Sequence, residues 1–241
     1  MKGFWDADAL RFMTDAAEHT PYYRELAAII GGQLAPGGHV CDAGCGPGYL
    51  ALELARYARR VTAVDISPEA ADVLRRSCGL RGARNIDVRC GDIASIPPQE
   101  PYDAMVFCFF AGGEDGLRIA RAQCRGDVFI VTRNYPAHRF SVRHHAMERR
   151  GYADSCRLLD GLGVPYEGKT YALDFSQPLR SMEDARRFFA RYSVDDASEI
   201  TDAFLRGRLS PYDKDGFAYI AEHVRGIGVI RLRAEDIPEG I

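Results

Sequence analysis

Val40-Cys41-Asp42-Ala43-Gly44-Cys45-Gly46-Pro47-Gly48-Tyr49 is the stretch on which the reading of this chain turns. An apolar run, 39–43, leads into a turn with glycine at 44, 46 and 48, and a helical pattern follows over about 49–60. Glycines let a backbone turn tightly and approach a ligand closely, and the helix start offers unpaired N–H groups. A glycine loop alone is a weak signal. The dinucleotide pattern G-x-G-x-x-G needs glycine at position 49, where Tyr49 stands, so the spacing here is G-x-G-x-G.

Outward from the loop, strand-like and helix-like segments alternate. Compact apolar runs at 61–65, 86–90, 104–109 and 128–132 predict strands, with helices over 68–78 and 114–124 between them. Ser67-Pro68-Glu69 is a helix start: serine caps, proline suits the first turn, and the acid meets the positive end of the dipole. Such alternation implies a parallel sheet covered by helices on both faces. Upstream, 6–18 and 22–30 predict two helices. Downstream, 141–162 reads as helix and 171–176 as strand. Helices at 181–192 and 196–209 follow, then a turn at 211–216 and a strand from 217 to 232 interrupted by Gly226 and Gly228.

Two acids sharpen the loop's meaning. Asp65 ends the second strand 21 positions after Gly44, where a carboxylate can accept hydrogen bonds from both hydroxyls of a ribose. Asp92 follows the third strand, placed to accept from an adenine amino group, with Ile66 and Ile93 available to pack against the ring.

D-A-G-C-G-P-G, then V-D-I, then G-D-I, then Y-D-A-M-V-F-C-F-F resembles the class I S-adenosylmethionine-dependent methyltransferases over roughly residues 38–135. The resemblance implies an α/β, Rossmann-like, seven-stranded, mostly parallel sheet whose last strand is antiparallel. It implies S-adenosyl-L-methionine as cofactor and S-adenosyl-L-homocysteine as product. Contacts are expected from Asp42, Gly44, Gly46, Asp65, Ile66, Asp92, Ile93 and Phe109. Phe4-Trp5-Asp6 and Thr20-Pro21-Tyr22-Tyr23 resemble N-terminal helices that cover the cofactor in such enzymes, which adds Tyr22. The expected organisation is one domain over 1–241: N-terminal helices (1–36), a cofactor-binding core (37–135) and a helical insertion (181–212) before the last strand.

Methyl transfer from an activated sulfonium needs alignment and exclusion of water more than a fixed catalytic dyad, so catalytic residues are hard to read. His138, Tyr135 and Arg133, after the fifth strand, are the candidates for the acceptor side, because open α/β sheets bind ligands at their strands' carboxyl ends. Adjacent His144 and His145 would point about 100° apart on a helix and cannot share an ion, and no metal is implied. Phe-Cys-Phe-Phe at 107–110 lacks the Asn/Asp-Pro-Pro-Tyr-like signature of enzymes that methylate amino groups of bases.

Composition bounds the partners. A net charge of −3 gives no general attraction to nucleic acid or anionic lipid, and no run approaches the roughly 20 apolar residues of a membrane helix. Acidic residues in the first segment and an odd number of cysteines, seven, point to a cytoplasmic protein with free thiols. The expected partner is a small-molecule methyl acceptor, with the protein a monomer or homodimer. An RNA or protein acceptor is the competing enzyme reading, supported by Arg139, Arg143, Arg149 and Arg150. A nicotinamide oxidoreductase is disfavoured by Tyr49 and Gly91-Asp92, and a non-catalytic binding subunit by the intact loop.

Overall fold

The computed structural model describes residues 4–147 and 151–241, so Arg149 and Arg150 of the basic cluster lie outside it. Strand β1 (His39–Ala43) lies at the centre of a seven-stranded sheet, parallel to β2 (Arg60–Asp65) on one side and β4 (Tyr102–Cys108) on the other. Beyond β2 runs β3 (Ile86–Cys90), and beyond β4 runs β5 (Cys124–Arg133), both parallel. The far edge reverses: β10 (Val224–Arg233) pairs antiparallel with β5 and with β6 (Tyr166–Asp174). The order β3-β2-β1-β4-β5-β10-β6 makes the sheet Rossmann-like and mostly parallel, with its last strand antiparallel.

Alternate residues of each strand face opposite ways, and the sheet therefore supports two cores. On one face Val40, Val61, Val106 and Phe129 pack under α2 (Tyr22–Gly31), α3 (Tyr49–Leu54) and α4 (Pro68–Arg81) through Leu26, Ile30, Leu50, Leu54 and Leu74. On the other, Cys41, Val64, Met105, Phe107 and Ile130 pack under α5 (Glu114–Gln123) and α6 (Tyr152–Leu162) through Leu117, Ala120 and Leu159. Each fully buried Leu or Phe contributes roughly 1.5–3 kcal/mol relative to its exposed state.

The helical stretch at 181–212 is framed by short strands. Between β6 and β10 run β7 (Gln177–Leu179), α7 (Met182–Tyr192), α8 (Asp202–Arg206), β8 (Ser210–Lys214) and β9 (Phe217–Ala221); the strands of this insertion form a second sheet ordered β7-β9-β8. A third core joins it to α1 (Ala7–His19): Phe12 packs with Leu179, Phe188, Phe189, Ile200 and Leu205. Ion pairs reinforce that seam, with Arg180–Asp15 at 2.5 Å, Arg11–Asp184 at 2.7 Å and Arg191–Asp6 at 2.8 Å.

Several expectations for the second half need correction, each for a local reason. Helix does not extend over 141–147. Asp195 accepts from the N–H of Val142 and from His145 Nε2, both at 2.6 Å, and holds the segment as a loop. The expected helix at 196–209 is a short 3-10 turn (Ala197–Glu199) followed by α8, because Asp196 and Thr201 each cap a separate start. The expected turn at 211–216 is mostly β8. The long strand from 217 breaks at Glu222-His223, while Gly226 and Gly228 lie inside β10. Those glycines provide clearance: a Cβ at 228 would lie 2.1 Å from the Tyr152 ring, and one at 226 would lie 2.6 Å from the Asn134 carbonyl oxygen.

Gly228→Val should therefore overpack the seam between β10 and α6. The expected loss is about 1–3 kcal/mol, a drop in melting temperature of roughly 2–12 °C for a chain of this size, measured by calorimetry. An unchanged melting temperature would show that Tyr152 moves aside without cost.

Candidate functional site

The sheet order places a switch point at β1, where neighbouring connections leave in opposite directions and a crevice opens at the carboxyl ends of the strands. The glycine turn fills one wall of it. Gly44 and Gly46 have φ of 68° and 53°, and the N–H groups of Gly44 and Cys45 both donate to the Val64 carbonyl, at 2.8 and 3.0 Å. Asp65 completes the tie. Its Oδ2 accepts from the N–H of Gly46 at 2.7 Å and its Oδ1 from the N–H of Ser67 at 2.9 Å. A Cβ at either glycine would strike an aromatic ring: Phe110 at position 44, Trp5 at position 46.

Beside this turn lies a cavity of about 560 Å³, lined by Asp42, Gly44, Gly46, Asp65, Ile66, Phe109 and Phe110 among others. Asp42, near the end of β1, is 1% exposed, and among the described residues neither carboxylate oxygen has a hydrogen-bond partner. Burial, with the neighbouring charge of Asp65 second, pushes its carboxyl up to about 7. Ile66 is an exposed aliphatic group on the rim, and Phe109 holds a positive φ of 55° at the end of β4.

Against this wall stands a strap from the N-terminus. Asp6 caps α1 through Oδ1 and accepts from Arg191 of α7 through Oδ2, and Arg191 also donates to the Phe4 carbonyl at 3.1 Å. Phe4 and Trp5 are thereby held over the glycine turn.

A second cavity of about 280 Å³ adjoins the first and shares Phe4, Met13 and Arg225 with it. Its other walls are aromatic: Phe12, Phe140, Phe175, Phe188 and Tyr192. Polar groups enter from Tyr135, His138, Arg139, Gln177 and His223. His223 is 5% exposed; burial, then the charges of Arg225 and Arg139, drive its imidazole down to about 3 and keep it neutral.

The structure thus brings Asp42, Gly44, Gly46, Asp65, Ile66 and Phe109 together around one cavity, and Tyr135 and His138 around the next. Four sequence candidates fall elsewhere. Ile93 is 2% exposed within the second core and packs with apolar neighbours. Asp92 turns back on its own loop, accepting from the Ala94 N–H at 3.0 Å. Tyr22 is fully buried behind the cavity, where its neighbour Tyr23 forms part of the lining instead. Arg133 lines a third cavity, which shares Phe109 and Phe110 with the first. Arg225 and His223 were not singled out from sequence. Their only signal is a charge set in an apolar strand beside two glycines.

Residues 40–124 match the family described as Methyltransferase domain. That segment carries the methyltransferase-domain pattern. The chain is 40% identical over 68 residues to a protein-L-isoaspartate O-methyltransferase of Methanoculleus marisnigri, covering 28% of this chain and 31% of that one. It is 30% identical over 104 residues to a ubiquinone biosynthesis O-methyltransferase of Xanthomonas campestris, covering 42% and 41%. The chain thus spans under half the length of these curated relatives. In fold it resembles the YcgJ protein of Bacillus subtilis (TM-score 0.57, 14% identity, 88% and 97% covered). It also resembles a precorrin-6Y C5,15-methyltransferase of Geobacter metallireducens (TM-score 0.51, 10% identity, 87% of each covered).

The buried Asp42 makes a pH prediction for this chain. Its folded pKa is raised from 3.8 to about 7, so the folded state holds the proton longer than the unfolded one. The sign follows: Asp42 lowers stability as pH rises from about 4 to about 7, by roughly 4 kcal/mol at most, at 1.4 kcal/mol per unit. In denaturant titrations without ligand, Asp42→Asn should gain on the native protein across that window. A constant difference between the two would mean Asp42 ionises normally.

Proposed function

We propose that the chain transfers the methyl group of S-adenosyl-L-methionine to a small molecule held in the aromatic cavity. The observation that carries this is the pair of adjoining cavities, one built on the glycine turn and the other on aromatic rings, with Phe4, Met13 and Arg225 common to both. The residues present fit the cofactor. Asp42 is a buried carboxylate with no hydrogen-bond partner among the described residues, suited to the ammonium and sulfonium charges of such a molecule. Ile66 offers an apolar face at the rim, and Asp65 stands where a ribose would be recognised.

The cofactor supplies a methyl group already activated by positive sulfur. The chain's part is to align and to dry the site. Asp42 counters positive charge in the first cavity, the glycine turn permits close approach, and Phe4 and Trp5 exclude water from above. Neutral His223 can hold a hydrogen bond to the acceptor without adding charge.

The small-molecule reading is favoured over RNA or protein by the second cavity's walls, which α1 and α7 supply around a space of about 280 Å³. Arg143, one of the basic residues behind the alternative, is engaged by Glu199. Both curated relatives are named as O-methyltransferases, which supports oxygen as the acceptor atom.

Calorimetric titration tests this. The native protein should bind S-adenosylmethionine and S-adenosylhomocysteine at micromolar concentrations and not bind NADH. Asp65→Ala, which removes a charge-assisted hydrogen-bond acceptor, should weaken adenosyl binding roughly tenfold to a hundredfold. Binding of NADH alone would overturn the proposal.

A further inference from the structure

Arg225 occupies an unusual position for a cation. It lies in the wall common to the two cavities, with its Cζ 4.0 Å from the centre of the Phe109 ring, 5.1 Å from Phe175 and 5.7 Å from Tyr22. Among the described residues its buried Nε meets no hydrogen-bond acceptor, and the Tyr22 hydroxyl behind it is likewise buried. Among the described residues Arg225 forms no ion pair, although Arg11, Arg180, Arg191 and Arg231 all have carboxylates within reach. The described lining of the aromatic cavity contains Arg225, Arg139, His138 and His223 but no Asp or Glu. An arginine packed against ring faces with no carboxylate partner is partly desolvated and has fork donors to offer a planar anion.

Resting on the methyl-transfer reading above, we propose that the aromatic cavity takes a small, flat, apolar molecule bearing one anionic oxygen. Arg225 pairs with that oxygen, and the oxygen receives the methyl group. Position supports the last point, because Arg225 belongs to both cavities and an oxygen on it faces the donor side. In the transfer, a lone pair of the oxygen forms the new carbon–oxygen bond while the carbon–sulfur bond breaks and its electrons return to sulfur. The acceptor's charge falls from −1 to 0 and the sulfonium becomes a neutral thioether. No proton has to leave, so no general base is required. The neutral ester or ether has lost its attraction to Arg225, which favours release. Carboxylates and phenolates share this chemistry.

The test is calorimetry in the presence of saturating S-adenosylhomocysteine at pH 8. Benzoate, phenylacetate and indole-3-acetate are compared with their amides, and 4-nitrophenolate with 4-nitroanisole. The native protein should bind a member of at least one anionic set at least tenfold more tightly than its neutral counterpart, and the set that does so identifies carboxylate or phenolate. Arg225→Met should remove the preference, and Arg225→Lys should restore part of it, in proteins whose melting curves show them folded. A purely structural arginine would not give charge-selective rescue. If S-adenosylhomocysteine itself fails to bind the native protein, the methyl-transfer reading falls and this inference with it. If S-adenosylhomocysteine binds but no anion is preferred, or the preference survives in Arg225→Met, this inference alone is overturned.

Discussion

One carboxylate joins the two halves of the crevice. Asp65, at the end of β2, accepts from the backbone of Gly46 through one oxygen and of Ser67 through the other. The first bond pins the glycine turn after β1, and the second pins the entry to α4, whose start Ser67 caps. Backbone bonds from Gly44 and Cys45 to Val64 share the task. The turn can take this course because Gly44 and Gly46 adopt positive φ and carry no Cβ to collide with Phe110 and Trp5. Wherever the strands converge, the cavity beside them takes its shape from this short set of bonds.

The rest of the site is imported from distant parts of the chain. The insertion grips helix α1 beside the crevice, through a shared core around Phe12 and Phe188 and through three arginine–aspartate pairs. One of these, Arg191–Asp6, also orients the segment carrying Phe4 and Trp5. Partly exposed ion pairs contribute modestly to stability, and their value here lies more in setting where α1 sits. The insertion therefore acts twice, as wall of the second cavity and as anchor of the strap above the first.

Charge is divided between the two chambers. The first is built around Asp42, a buried carboxylate with no hydrogen-bond partner among the described residues, and suits a cation. The second is bordered by Arg225 and Arg139, which also help hold His223 neutral, and suits an anion. Leaving a charged or titratable group unsatisfied costs free energy in a folded chain. Two such groups facing neighbouring cavities are consistent with strain accepted for binding.

Local pattern carried a large part of this structure openly. The alternating runs, the Ser67-Pro68-Glu69 start and the glycines around 46 specify β1 to β5 and their helices, because short apolar strands and capped helices are encoded over a few neighbouring residues. Asp42, Asp65 and Ile66 line the first cavity for the same reason: each stands at or next to the end of a strand. Ile93 and Tyr22 lie in the core, because an apolar or aromatic residue beside a strand or helix end looks alike in sequence whether it meets a cavity or the core. Residues 141–147 and 196–209 departed from their helical pattern because side chains of Asp195, Asp196 and Thr201 captured backbone donors. The second cavity was written nowhere locally. Phe12, Phe140, Phe188, His223 and Arg225 meet only when β10 runs antiparallel beside β5 and the insertion folds back on α1. Such long-range pairings leave no periodic trace in sequence, so the donor side could be read from residues and the acceptor side only from the assembled fold.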